Sequence, residues 1–365
     1  MWPGACISHV VRGLHQSRGQ EPASVITLPS PPPLAHPRRL CQQLAHEFTF
    51  FNLEAPQLDE LLRPPEPEHC LVLVGGRLSD QQPATLSRRL QYYDRRAGGW
   101  GRLQDMTVGR SNGCAAAALG SHLYVLGGEG NNVVGPYHTT VYDLASRKME
   151  ERAGPPRYVR ACAGVACDGL VYSLGGINSD RAAVADVCAY NPYTDSWVPG
   201  PPLPSALGVL AAAEHQGGIY ACGGCRRSPT FVSAALSMMD PRTRAWSCLA
   251  TMPTAAFAVG AAVVGSRMYV PGGCTSSGPS SSLQCYDIAA GRWDTSCAPL
   301  SVTRSACGVA ALQGEVWALG GKTVMLGGGT ALASVEVYSP RLNSWRAGEV
   351  LPHSWETGVC SVVQC

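Results

Sequence analysis

The sequence predicts an all-β fold of six four-stranded units set radially about one axis, with a mostly disordered N-terminal extension. Three observations carry this expectation. A Gly-Gly doublet closes a short apolar run six times. An aromatic pair recurs at a fixed interval after it. One inner-strand pattern is missing at the start of the repeats and present in surplus at the end.

Residues 1–68 come first and lie outside the repeats. The stretch 1–37 is rich in Pro, Ser and Gly, a composition expected to stay flexible. Within 38–63, Leu40, Leu44, Phe48, Phe51, Leu58, Leu61 and Leu62 suggest one or two short amphipathic helices.

The repeats fill residues 69–365. The doublets are Gly75-Gly76, Gly127-Gly128, Gly175-Gly176, Gly223-Gly224, Gly272-Gly273 and Gly320-Gly321, spaced by 52, 48, 48, 49 and 48 residues. Such a period marks a radial or stacked array. Three residues before the doublets stand Val72, Tyr124, Tyr172, Tyr220, Tyr269 and Trp317. Farther on, Tyr93, Tyr142, Tyr190, Met239, Tyr286 and Tyr338 each precede Trp100, Met149, Trp197, Trp246, Trp293 and Trp345 by seven residues. An Asp or Asn usually follows the tyrosine slot and favours a turn there. Thirteen residues before the later doublets lie Cys114, Cys162, Leu210, Val259 and Cys307, each followed by Ala or Gly. Strands that converge on an axis leave little room, so small residues belong there. The pattern is that of a six-bladed β-propeller with four strands per blade.

Closure follows from the two ends. Where the first blade needs an inner strand, residues 62–68 read Leu-Arg-Pro-Pro-Glu-Pro-Glu, and proline cannot serve a paired central strand. After Trp345, Thr357 to Val363 repeats the inner-strand pattern with no doublet following. That C-terminal strand is expected to pair with Cys70–Val74 and complete blade 1, removing exposed edges.

These slots resemble the kelch repeat over Cys70 to Cys365, with Val72, Met149 and Met239 as apolar departures. The surrounding architecture resembles the kelch-like (BTB-BACK-kelch) family. Residues 47–62 faintly resemble a helical piece of the BACK domain. A BTB domain is not recognisable in the sequence, so contact with a cullin is expected only in a longer form that carries one. The resemblance implies capture of a protein substrate, for a cullin-RING ubiquitin ligase. The alternative it leaves open is a scaffold for actin or other cytoskeletal proteins.

In kelch propellers, partners dock on one face, built from the loop after the Gly-Gly strand and the loop into the next inner strand. Mapped onto this sequence, that face carries Arg77, Arg110, Arg157, Arg160, Arg181, Arg226, Arg227, Arg304 and Lys322, against Asp80, Asp105, Glu129 and Asp180. Arg110, Arg160 and Arg304 are expected at equivalent positions ahead of three inner strands, near the channel mouth. Tyr137, His138, Tyr158, His353 and Trp355 would supply aromatic anchors. Arginine forks suit carboxylates and phosphates, so the expected partner presents an acidic or phosphorylated peptide.

Bulk properties exclude other classes. A net charge of +2 speaks against general nucleic-acid binding. The longest small-and-apolar run, Ala255 to Gly265, is too short to span a bilayer. The first 13 residues lack an apolar signal-peptide core. A cytoplasmic protein is therefore expected, its 16 cysteines reduced. Cys222 and Cys225 have CxxC spacing, but their intervening glycines are the repeat doublet and no second pair completes a metal set. Neither a cofactor, a metal nor catalysis is expected.

Overall fold

Each Gly-Gly doublet is a joint, and the joints explain the ring. In the computed structural model, the first glycine of a doublet lies at positive φ, from 57° at Gly127 to 66° at Gly272. A side chain on Gly175, Gly223, Gly272 or Gly320 would run into the carbonyl oxygen of Leu207, Ala256, Arg304 or Trp355, each from the segment entering the next blade. The second glycine uses that closeness. Gly176, Gly224, Gly273 and Gly321 donate their amide N–H to those same four carbonyls at 2.8–2.9 Å. Only a residue with no Cβ accepts both the dihedral and the approach.

The structure describes residues 69–78, 85–95, 97–107, 111–129, 138–157, 159–226, 231–324 and 331–364. The expected extension at 1–68 and its short helices at 38–63 lie outside them. The chain divides into two units, Met1–Glu66 and Pro67–Cys365. The second unit holds six four-stranded antiparallel sheets, the blades. Blade 1 takes its inner strand, Val359–Gln364, from the C-terminus and continues with His69–Val74, Leu90–Asp94 and Gly99–Arg102. Its register sets Leu73 opposite Cys360 and Val74 opposite Val359, the expected closure. Blades 2 to 6 follow in chain order, their inner strands being Ser111–Leu119, Ala163–Cys167, Ala211–His215, Ala262–Val264 and Gly308–Leu312.

Closure is also written in hydrogen bonds around the axis. One residue turns left-handed near the start of each inner strand, Gly113 at an irregularity within its strand and Ala161, Val209, Ala258, Ala306 and Thr357 just before theirs. Each donates its N–H to the carbonyl of the preceding one, from Ala161 to Gly113 at 2.7 Å through to Thr357 on Ala306 at 3.3 Å. Gly113 on Thr357, at 3.5 Å, completes a six-membered girdle.

The aromatic pair joins blades at their outer edge. Tyr and Trp lie opposite one another across strands three and four, as Tyr190 with Trp197 and Tyr338 with Trp345. Their rings are 5.4 and 5.1 Å apart. Each indole N–H then reaches a carbonyl of the preceding blade: Trp100 to Glu349, Trp197 to Ala153, Trp246 to Pro201, Trp293 to Ala250 and Trp345 to Ala298, at 2.8–3.2 Å.

One expectation is corrected. The described cysteines are not all reduced, because Cys70, in the strand that meets the C-terminal one, is disulfide-bonded. A disulfide needs a second cysteine whose Cα lies within about 6 Å, a condition that arguments from compartment do not address.

Candidate partner-binding face

The alternating strand directions sort the connections onto two faces. Loops between strands two and three, and between strand four and the next inner strand, share one face. The tight one–two and three–four turns share the other. On the loop face, Arg77, Arg157, Arg181 and Arg226 are exposed and Arg160 is half-buried at the channel. Arg181 is held in a turn by its N–H to the Asn178 carbonyl, with φ of 61°. Arg226 is anchored by its N–H to the Phe231 carbonyl and by its guanidinium to Ser205 Oγ at 3.3 Å.

Two of these cations already have carboxylate partners. Arg157 lies 3.4 Å from Asp186. Lys322 lies 2.7 Å from the buried Glu356, and burial, followed by nearby Arg77, lowers the Lys322 pKa. Arg77 itself stands opposite Glu356 in the short sheet at the blade 6–blade 1 junction. On the same face Arg89 contacts the ring of His353.

Arg304 and Trp355 do not belong to this surface. Arg304 is fully buried, its guanidinium donating to Glu336 Oε1 at 2.6 Å, the Gly320 carbonyl at 2.9 Å and the Ser334 carbonyl at 3.1 Å. Trp355 is 3% exposed and its indole N–H binds the Gly75 carbonyl. The reason is positional. Both occupy the slot of Leu207 and Ala256, whose carbonyl receives the doublet and whose side chain is carried beneath the loop. Arg304 and Arg160 are therefore not equivalent, since Arg304 aligns with the buried slot and Arg160 lies beyond it. Arg110, Tyr137, Tyr158 and Arg227 lie outside the described residues. His138 is exposed.

The face also carries apolar groups that the repeat pattern does not single out. Phe231 is 63% exposed in the blade 4 loop, Val302 is exposed in the loop leading into blade 6, and Val324 is exposed in the loop between that blade's second and third strands. The available signal was an aromatic outside every repeat slot. Behind the face, the inner strands enclose a channel of about 670 Å³ lined mainly by Ala, Gly, Val and Cys, with Arg160 and Thr357 at its loop-face mouth.

Cys222 and Cys225 flank the blade 4 doublet, and burial pushes their thiols up to about 12 and about 11. Among the described residues, no three His, Cys, Asp or Glu side chains gather as a metal site. No helix among them is long and apolar enough to cross a membrane.

Comparison with known proteins agrees with the ring. The Kelch motif matches residues 159–204, 210–253, 256–295 and 303–349, which are blades 3 to 6. Human Kelch-like protein 23 is 27% identical over 67% of this chain and 43% of its own length. Human Kelch-like protein 33 is 31% identical over 48% of this chain and 35% of its own. Kelch-like protein 36 of Rattus norvegicus is 27% identical over 79% and 48% respectively. The chain thus spans less than half the length of these relatives. The solved structure of YjhT superposes with a TM-score of 0.60 over 71% of this chain and 89% of its own, at 17% identity. Repeat slots, ring closure and these matches together identify the chain as a kelch-repeat β-propeller of the kelch-like family, a protein–protein interaction module.

Proposed function

We propose that the loop face captures a protein substrate through an acidic or phosphorylated segment, and that it does so as the recognition part of a cullin-RING ubiquitin ligase, without catalysis of its own. The observation that carries this reading is the excess of exposed arginine on that face. Arg77, Arg181 and Arg226 project from different blades, with Phe231 beside Arg226 as an apolar anchor. Guanidinium forks bind carboxylate and phosphate bidentately, and a few anchors carry most of an interface's energy. The ligase role rests on the likeness to kelch-like proteins, and cullin contact is assigned to a form that includes a BTB domain. On this reading the protein acts in the cytoplasm.

The test is affinity capture from cytoplasmic extract with the wild type and an Arg181→Ala, Arg226→Ala double variant, with and without prior phosphatase treatment. Loss of most captured proteins from the variant is the expected result. A variant that captures the same set with the same yield defeats the reading. Because both side chains are exposed, the double variant should melt within about 1 °C of the wild type.

A further inference from the structure

The turn face holds a cavity that the substrate-capture reading does not use. It lies between blades 6 and 1, has a volume of about 230 Å³, and is lined by Tyr93, Arg95, Leu312, Gln313, Glu315, Trp317 and Arg346. Its composition is unbalanced toward donors. Two guanidinium groups, a phenol, a primary amide and an indole N–H surround it, and only one carboxylate. That carboxylate, Glu315, is already engaged by Arg346 at 2.7 Å. Arg95 is exposed on the turn after the third strand of blade 1.

The indole is the second, independent observation. Trp317 is 5% exposed, its Nε1 is buried, and that N–H has no hydrogen-bond partner among the described residues. A buried orphan donor costs about 1–3 kcal/mol, so it points to an absent acceptor. The residue is also out of keeping with its slot. Blades 2 to 5 hold Tyr124, Tyr172, Tyr220 and Tyr269 there. Trp317 packs on Tyr93 at 5.1 Å, which makes an aromatic wall beside the charged rim.

We propose that this cavity binds a small carboxylate between Tyr93 and Leu312, with the Trp317 indole N–H and the Arg95 guanidinium donating to its oxygens. A planar acceptor with two oxygens satisfies one buried N–H and one fork at once, and the net charge of the lining, two arginines against one glutamate, favours an anion. The volume suits a four- or five-carbon diacid or the inserted side chain of a glutamate.

The test follows the side-chain indole ¹⁵N–¹H resonance of Trp317, assigned by its loss in Trp317→Tyr, a substitution that restores the residue of blades 2 to 5. Succinate, a peptide with one internal glutamate, and inorganic phosphate are titrated separately. A saturable shift with succinate supports the proposal with a free acid as ligand. A shift with the peptide alone supports it with a partner's side chain as the source. Arg95→Gln, on an exposed turn, should weaken either about tenfold while leaving the melting temperature unchanged. Phosphate binding as tightly as the carboxylates would overturn the chemical class, and a resonance unmoved by all three probes would overturn the site.

Discussion

The seam between blades 5 and 6 and the seam between blades 1 and 2 use the same slots with different residues. At the first, Gly273 binds the Arg304 carbonyl, Ala306 binds Ala258 at 2.9 Å, and the Trp345 indole binds Ala298 at 2.8 Å. Asn343 adds its Oδ1 to the Ala298 N–H and its Nδ2 to the Ser296 carbonyl. At the second, the girdle bond from Gly113 to Thr357 is stretched to 3.5 Å, and Met149 stands where an indole would be. Yet Tyr142 and Met149 still pair across their strands. The repeat signature is therefore chemistry of the joints between blades, not of the blades themselves. A blade survives the loss of its tryptophan; its seam is what weakens.

Removal of the closing strand should damage every seam at once. Truncation before Glu356 leaves blade 1 with three strands, an open inner edge and a girdle of five. The expected outcome is aggregation and the absence of a cooperative melt, read by size exclusion and thermal unfolding. A soluble truncation that melts cooperatively would show that the seams do not depend on closure.

Next in size is a methyl group at a joint. Gly272 and Gly98 share a φ of 66°, but a Cβ on Gly272 meets the Arg304 backbone whereas one on Gly98 meets nothing within 4 Å. Gly98→Ala should cost about 1 kcal/mol, the ordinary penalty for a left-handed alanine. Gly272→Ala adds the clash and the strained hydrogen bond of Gly273, so roughly 3 kcal/mol or more is expected by denaturant unfolding. Equal costs would mean that dihedral preference alone, without interblade contact, explains the doublet.

The same contrast shows what was legible beforehand. The doublets, the Tyr and Trp slots and the surplus C-terminal strand could be read because each satisfies a local geometric demand that few residues meet. The loop face could not be read as well. Arg304 and Trp355 are long side chains near loop ends, and nothing local says whether they point to solvent or under the loop. Their spacing held a usable clue. They stand 32 and 35 residues beyond the first glycine of a doublet, in the slot of Leu207 and Ala256. A slot that is aliphatic in neighbouring blades is buried, whatever charge it carries in one. The Arg304–Glu336 pair shows how such a charge is tolerated, because the guanidinium is also matched by two carbonyls.

A smaller effect separates the stapled seams from the unstapled one. Trp345→Phe keeps an aromatic ring, smaller than the indole, and removes one bond to the Ala298 carbonyl, so about 1–2 kcal/mol of stability should be lost. Met149→Leu, with no interblade bond to lose, should cost less than about 1 kcal/mol. If both substitutions shift the denaturation midpoint equally, the indole bond contributes nothing to the seam.

The finest distinction is one of pH, between Asp195 and Asn343. They occupy the same left-handed position two residues before the tryptophan, at φ of 46° and 48°. Each accepts a hydrogen bond from its blade's tyrosine hydroxyl, Tyr190 or Tyr338, at 2.7 Å and another from a backbone N–H across the seam, Ala153 or Ala298. One is a carboxylate and the other a neutral amide. The Tyr190 hydroxyl first, and then the Ala153 N–H, hold the Asp195 pKa below the ordinary carboxylate value. A depressed folded pKa contributes stability that is complete above the unfolded value, near 3.9, and is lost as pH falls below it. The blade 2–blade 3 seam should therefore loosen below about pH 4 while the blade 5–blade 6 seam, through Asn343, does not. Amide exchange at Ala153 and Ala298 between pH 5 and 3, corrected for intrinsic rates, reads the two seams separately. Protection should fall at Ala153 alone, and Asp195→Asn should abolish that fall, because the amide keeps both acceptor bonds and cannot take up a proton. A parallel decline at both positions would mean that acid acts on the ring as a whole.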